Sequence, residues 1–300
     1  MLTSEDQELI EEEKKFYSEI SDYINDILDN SFIEPIEDYE LTIYSILYRI
    51  DELLDVLCIM TENSLINAGF LVLRSLLELT VQLEYILINE ETREKRAIIL
   101  QLFDIKRSFK DSTIFYERIS KYPIYERYIN VFNDQENAHF SNWYSYCEEK
   151  KISLSKLFDI VGWKQIYNNL YQPLCIEAHQ INHMETNIVP QHHKMNFKPF
   201  RTFENHILLL DSMLSIMKLS LHRIITIYGG EQHKKNWNIY ENKLDSYLTN
   251  NHALAQIEKL LNPCIKYFGT DIKQSESTCG TGKVWPPKIT IMIGFFLTFI

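Results

Sequence analysis

Residues 63–89, NSLINAGFLVLRSLLELTVQLEYILIN, decide the reading of the fold. Leu, Ile, Val and Phe fill nearly every turn, and between Ser64 and Leu83 the only charges are Arg74 and Glu78. A segment this long, apolar almost all round and free of β-alternation, is a helix buried by its neighbours. At about 100° per residue, Asn67, Arg74, Glu78, Gln82 and Tyr85 fall within an arc of about 80°, a polar seam on an otherwise apolar cylinder. A charge held in such surroundings needs a partner, because burying it alone costs several kcal/mol. The seam therefore reads either as an ion pair that fixes helix register or as a site in which Arg74 anchors an anion.

Amphipathic runs extend on both sides. A first helix begins at Thr3 or Ser4 with Glu5 and Asp6 in its first turn, and carries Phe16, Ile20, Ile24, Ile27 and Leu28 to about Asn30. Beyond Pro35 a second covers Ile36 to Met60. Further helices are expected at about 91–109, 112–119, 123–147, 163–185 (interrupted by Pro173), 201–228 (closed by Gly229 and Gly230), 234–248 and 251–261. Eight Gly and eight Pro in 300 residues are too few for glycine-rich phosphate loops, Rossmann cores or turn-rich sandwiches. No alternation is sustained enough to predict a sheet. The expectation is an all-α, multi-helix bundle around a long apolar central helix. Residues 1–268 read as one helical domain, with residues 1–62 an acidic helical pair packed on it. Residues 269–288 read as a linker and 289–300, ITIMIGFFLTFI, as an apolar tail. Twelve residues rise only about 18 Å as a helix, short of the roughly 30 Å hydrocarbon core, so the tail is not expected to span a membrane. It reads instead as a core-docked terminal segment or an artefact at the end of the reading frame.

The net charge of −12 is uneven. Residues 1–60 hold seventeen Asp and Glu against Lys14, Lys15 and Arg49. That N-terminal region is a solvated acidic face or the surface for a protein partner, and the remainder of the chain is open to anionic ligands. Cys58, Cys147, Cys175, Cys264 and Cys279 are odd in number and widely spaced, which fits reduced thiols in a cytoplasm better than a disulfide or zinc framework. The N-terminus lacks the basic and apolar regions of a signal peptide.

Two more constellations carry chemistry. In 167–183, YNNLYQPLCIEAHQINH, residues Tyr171, Cys175, His179 and His183 follow one another at i,i+4. His179 and His183 have the spacing of two metal ligands on one helix, but Gln180 stands where H-E-x-x-H needs glutamate. No metal or other cofactor is expected, and His179 reads as a single functional imidazole or a structural one. The second is Arg201-Thr-Phe-Glu-Asn-His206, an R-x4-H spacing similar to that of HEPN-type ribonucleases, in a mildly basic stretch.

Segments 68–87 (AGFLVLRSLLELTVQLEYIL) and 167–182 (YNNLYQPLCIEAHQIN) together resemble the domain of unknown function 5677 family, a mainly bacterial all-helical group. The resemblance maps Arg74, Glu78, Tyr171 and His179 onto the family pattern, with Cys175 where a small hydroxyl residue is usual. It implies that the two segments meet inside one bundle.

Two functions follow as expectations. One is a binding or regulatory module, in a toxin–antitoxin or antiviral defence setting that the HEPN-like spacing suggests. The other is a metal-independent endoribonuclease. There Glu78 or His179 accepts the ribose 2′-hydroxyl proton, His179 protonates the leaving oxygen, and Arg74 stabilises the phosphorane, with Arg201 and His206 the alternative pair. The expected partners are RNA, a protein on the acidic N-terminal helices, and a second copy of the chain.

Overall fold

Helical spacing becomes burial at once in α1, Ser4–Ser31, where Phe16, Ile20 and Ile24 stack at i,i+4 on the face turned to the core. A computed structural model describes residues 4–31, 37–108, 117, 119–121, 123–134, 140–178, 188–191, 194–197 and 206–250. In α2, Glu40–Glu62, the same logic buries Ile43, Leu47, Ile50, Leu54 and Leu57 and leaves Leu41, Tyr48 and Ile59 outside. Then come α3, Ile66–Leu87, and α4, Glu90–Ser108, followed by α5, Pro123–Asp134, α6, Trp143–Cys147, and α7, Leu154–Ile160. A short α8, Lys164–Ile166, runs through a π-helical segment, Tyr167–Tyr171, into α9, Gln172–Ala178. The long α10, His206–Tyr228, and α11, Glu231–Asn250, complete the bundle.

Helix α3 packs against α2, α4, α7, α9 and α10. Its Leu73, Leu76, Leu77, Val81, Tyr85 and Ile86 are fully buried. Gly69 lets α10 come close, since a Cβ there would sit 2.5 Å from Leu209 Cδ2. Helices α1 and α11 share an aromatic layer in which Tyr23 meets Trp237 edge-on at 5.5 Å and the Tyr240 hydroxyl donates to the Phe16 carbonyl at 2.9 Å. Among the described residues no helix is long and apolar enough to cross a membrane.

The scarce glycines are explained by how the helices stop. After α2, α6 and α7 the chain closes the same way: the residue past the cap takes a left-handed conformation, and the next N–H returns to the third-last carbonyl of the helix. Leu65 N donates to Met60 O at 2.8 Å, Lys150 N to Ser145 O at 3.2 Å and Trp163 N to Phe158 O at 2.7 Å. The left-handed residues are Ser64 (φ 58°), Glu149 (φ 55°) and Gly162 (φ 81°). Only one of these positions uses the residue that adopts this conformation freely.

The all-α class holds, and several boundaries differ from the sequence reading. The expected helix 123–147 is two, α5 and α6. Of the expected helix 201–228, the described residues His206–Tyr228 form α10, and Arg201 lies outside the described residues. Against the expectation of no strands, Ile188–Gln191 and Lys194–Phe197 pair antiparallel, with Val189 opposite Asn196 and Pro190 opposite Met195. These runs are too short to build a sustained alternation, which is why periodicity missed them. The expected helix 251–261, the linker and the apolar tail lie outside the described residues, as does most of the expected helix 112–119.

Candidate functional site

The polar seam of α3 runs from solvent into the core. Asn67 is exposed, Arg74, Glu78 and Gln82 are half-buried, and Tyr85 is fully buried. Each inner member has a partner from a later part of the chain. Arg74 Nε donates to Glu78 Oε1 at 3.0 Å, one helical turn on, and Arg74 Nη2 to the Tyr171 hydroxyl at 3.4 Å. The Tyr171 hydroxyl itself donates to Glu78 Oε1 at 2.5 Å. The three groups close a triangle, with the Arg74 guanidinium carbon also 5.6 Å from the centre of the Tyr171 ring.

The placement of Tyr171 has a local cause. Pro173 has no N–H to give, and its ring would press on the carbonyl of Asn169, so a regular helix cannot pass through it. The chain widens instead: Gln172 N donates to Tyr167 O, an i→i−5 bond that defines the π-helical segment. The kink expected at Pro173 is thus a wide turn just before it. Tyr167 and Tyr171 stack there with centroids 5.4 Å apart and planes 22° from parallel, against Phe158 of α7. The Tyr171 ring is buried and its hydroxyl end reaches the Arg74–Glu78 pair.

Charge and burial then set the proton states. Burial, reinforced by the Glu78 carboxylate and by Cys175, raises the Tyr171 hydroxyl far above its ordinary range, so it is a donor at any physiological pH. Burial works against the Arg74 charge, but Tyr171, Cys175 and Glu78 outweigh it and the guanidinium pKa is raised. Burial and Glu78 also push Tyr144 up to about 12. The resulting set is a permanent cation, a carboxylate and a proton-bearing phenol, reached from solvent on one side: the Arg74 and Glu78 side chains are 27% and 35% exposed.

Below the triangle the seam continues as a structural network. Trp143 Nε1 donates to Gln82 Oε1 at 2.8 Å, and the Tyr85 hydroxyl to Glu148 Oε1 at 2.8 Å. Arg96 of α4 lies over the Tyr85 ring, its guanidinium carbon 3.9 Å from the centroid, while its Nη1 donates to the Tyr85 carbonyl at 2.5 Å. Sequence spacing did not single out Arg96, Trp143 or Glu148. The nearest signal was an arginine six residues into an otherwise ordinary amphipathic helix, which says nothing of its partner across the bundle.

The structure brings Arg74, Glu78 and Tyr171 together, with Cys175 in reach of Tyr171. His179, His183 and Arg201 lie outside the described residues. His206 opens α10, but its side chain is not among those described. Among the described residues no group of three or more His, Cys, Asp or Glu is placed to hold a metal ion.

No curated protein and no solved structure matches the chain. One family model does, over residues 40–194, a span that starts with α2 and takes in every member of the triangle and of the network beneath it. On that match, which covers just over half of its length, the chain belongs to the family of unknown function DUF5677.

Proposed function

We propose that the chain is a helical binding or regulatory module that takes an anionic group of its partner at Arg74. The supporting observation is the fixed, half-exposed guanidinium. Glu78 and Tyr171 hold it through Nε and Nη2, and among the described residues Nη1 makes no hydrogen bond. A guanidinium positioned in advance by a neighbour on its own helix and by a tyrosine from another loses little freedom when it engages a ligand. RNA phosphate is the favoured anion, and the acidic α1–α2 pair is a separate face for a basic protein partner.

The test is fluorescence anisotropy of a labelled single-stranded RNA against the full chain, with the same samples run on a denaturing gel. Binding that weakens with salt, is lost in Arg74→Ala and leaves the RNA intact supports the reading. Absence of binding, or equal binding by a folded Arg74→Ala, overturns RNA as the ligand.

Metal-independent RNA cleavage is a second reading, and the 2.5 Å hydrogen bond from Tyr171 to Glu78 beside a cation favours it. A carboxylate that can accept a proton, a phenol that can return one and an arginine facing the developing charge make an acid–base set. Shortened RNA on the gel, abolished by Glu78→Gln, would select it.

A further inference from the structure

A second polar cluster sits away from the Arg74 triangle, where the starts of α2 and α4 meet the end of α10. Thr92 Oγ1 and Arg93 Nε, in the first turn of α4, and the hydroxyl of Tyr228, the last residue of α10, are buried without a hydrogen-bond partner. A buried polar atom left unpaired costs about 1–3 kcal/mol, so folded chains rarely keep several in one place. Nearby polar groups on the same helices are satisfied: Thr42 Oγ1 donates to Ala97 O at 3.4 Å, and Gln101 Nε2 to Asp38 O at 3.1 Å.

Gln101 Nε2 also donates to Thr42 Oγ1 at 2.5 Å, so Arg93, one helical turn before Ala97 on α4, lies in the part of that helix that packs on the start of α2. Tyr44 of α2 meets Tyr228 with ring centroids 5.9 Å apart. The charge of Arg93 is felt at both the Tyr228 and the Tyr39 hydroxyls, while burial keeps both phenols protonated.

The chemistry of the cluster selects its ligand. A guanidinium N–H can only donate, a protonated buried phenol donates, and a threonine hydroxyl can do so, so the complementary atom is an acceptor. Arg93 favours an anion. Glu40, whose charge reaches both Tyr39 and Tyr228, and Glu37 beside Tyr39 disfavour a doubly charged one. Glu94 is engaged elsewhere, accepting from Arg127 at 2.5 Å and Tyr128 at 2.7 Å. We propose that this corner of α2, α4 and α10 binds the carboxylate of a small organic acid, with Arg93 and Tyr228 as its donors and the rings of Tyr39 and Tyr44 beside it.

Thermal unfolding of the full chain tests this, with sodium acetate as the probe against sodium chloride and sodium phosphate at matched ionic strength. Acetate is expected to raise the midpoint above the chloride value. The rise should be lost in Arg93→Gln, at least halved in Tyr228→Phe and kept in Arg74→Ala. Tyr228→Phe removes a single oxygen that has no protein partner, so it keeps the fold and decides alone if Arg93→Gln does not fold. No rise over chloride, an equal rise in the variants, or a larger rise with phosphate than with acetate would each overturn the proposal.

Discussion

Arg223 of α10 grips Glu84 of α3 across 139 residues of sequence, with Nη2 2.6 Å and Nε 3.0 Å from the same carboxylate oxygen. The Glu84 side chain is 4% exposed and that of Arg223 39%, so an acid inside the core is held by a base at its edge. Removing the base strands the acid. Arg223→Met should cost about 3 kcal/mol, the low end for breaking a buried pair because Arg223 is itself partly solvated. Glu84→Leu with Arg223→Met should recover most of that loss, since an apolar pair of similar volume replaces the ions. Urea unfolding of the three proteins checks both; equal stability of Arg223→Met and wild type would show that Glu84 is not dependent on its partner.

The Arg74 triangle should behave differently because it is half exposed. Tyr171→Phe removes one donor to Glu78 and leaves the i,i+4 pair on α3 intact, so its cost should be on the order of 1 kcal/mol. The fold therefore survives, and a loss of RNA binding in that variant reports on the site. A shift of the urea midpoint as large as that of Arg223→Met would instead mark Tyr171 as a structural pin.

Why one pair was visible in the sequence and the other was not comes down to contrast and distance. Arg74 and Glu78 stand alone among Leu, Val and Phe, one helical turn apart, so the apolar background frames them and the period joins them. Glu84 lies on the same helix but six residues past Glu78 and off the seam, and its partner is 139 residues away. Helical periodicity says which face a residue occupies and nothing about which distant helix covers that face. The link from Arg74 to Tyr171 was reached through family resemblance rather than spacing. The stops after α2 and α6, expected at Met60 and at residue 147 and found at Glu62 and Cys147, were legible from where the apolar spacing runs out, although the left-handed position is taken by Ser64 and Glu149, where the usual signal is glycine.

That substitution of serine for glycine carries a prediction. A left-handed conformation costs a residue with a Cβ about 1–2 kcal/mol. Glycine would avoid it but would lose more backbone freedom on folding, by about 0.4–1 kcal/mol. Ser64→Gly should therefore stabilise the chain by roughly 0.5–1 kcal/mol, the balance of those two terms. Thermal unfolding reads the shift; a lower midpoint would mean that the buried Ser64 side chain contributes more than its backbone costs.

Alkaline pH should unfold the protein through its tyrosines. Tyr85, Tyr171 and Tyr240 are buried, and burial raises the pKa of all three hydroxyls far above the ordinary value. Carboxylates at Glu148 and Glu78 add to it for Tyr85 and Tyr171. In the unfolded chain each ionises near pH 10. Above that pH the folded state holds more protons than the unfolded state, so stability is intact below about pH 10 and falls as pH rises, until the folded hydroxyls themselves ionise. Each such tyrosine contributes about 1.4 kcal/mol per pH unit, and three together about 4 kcal/mol per unit. The part of the tyrosinate absorbance that comes from the buried hydroxyls should therefore appear together with the loss of helical circular dichroism, in one cooperative step above pH 10. Tyr240→Phe, which takes one titrating group out of the α1–α11 layer, should make the stability decline less steep. Titration of all the tyrosines with the helices intact would mean that these hydroxyls are open to solvent, and the shielding assigned to the network beneath Arg74 would be wrong.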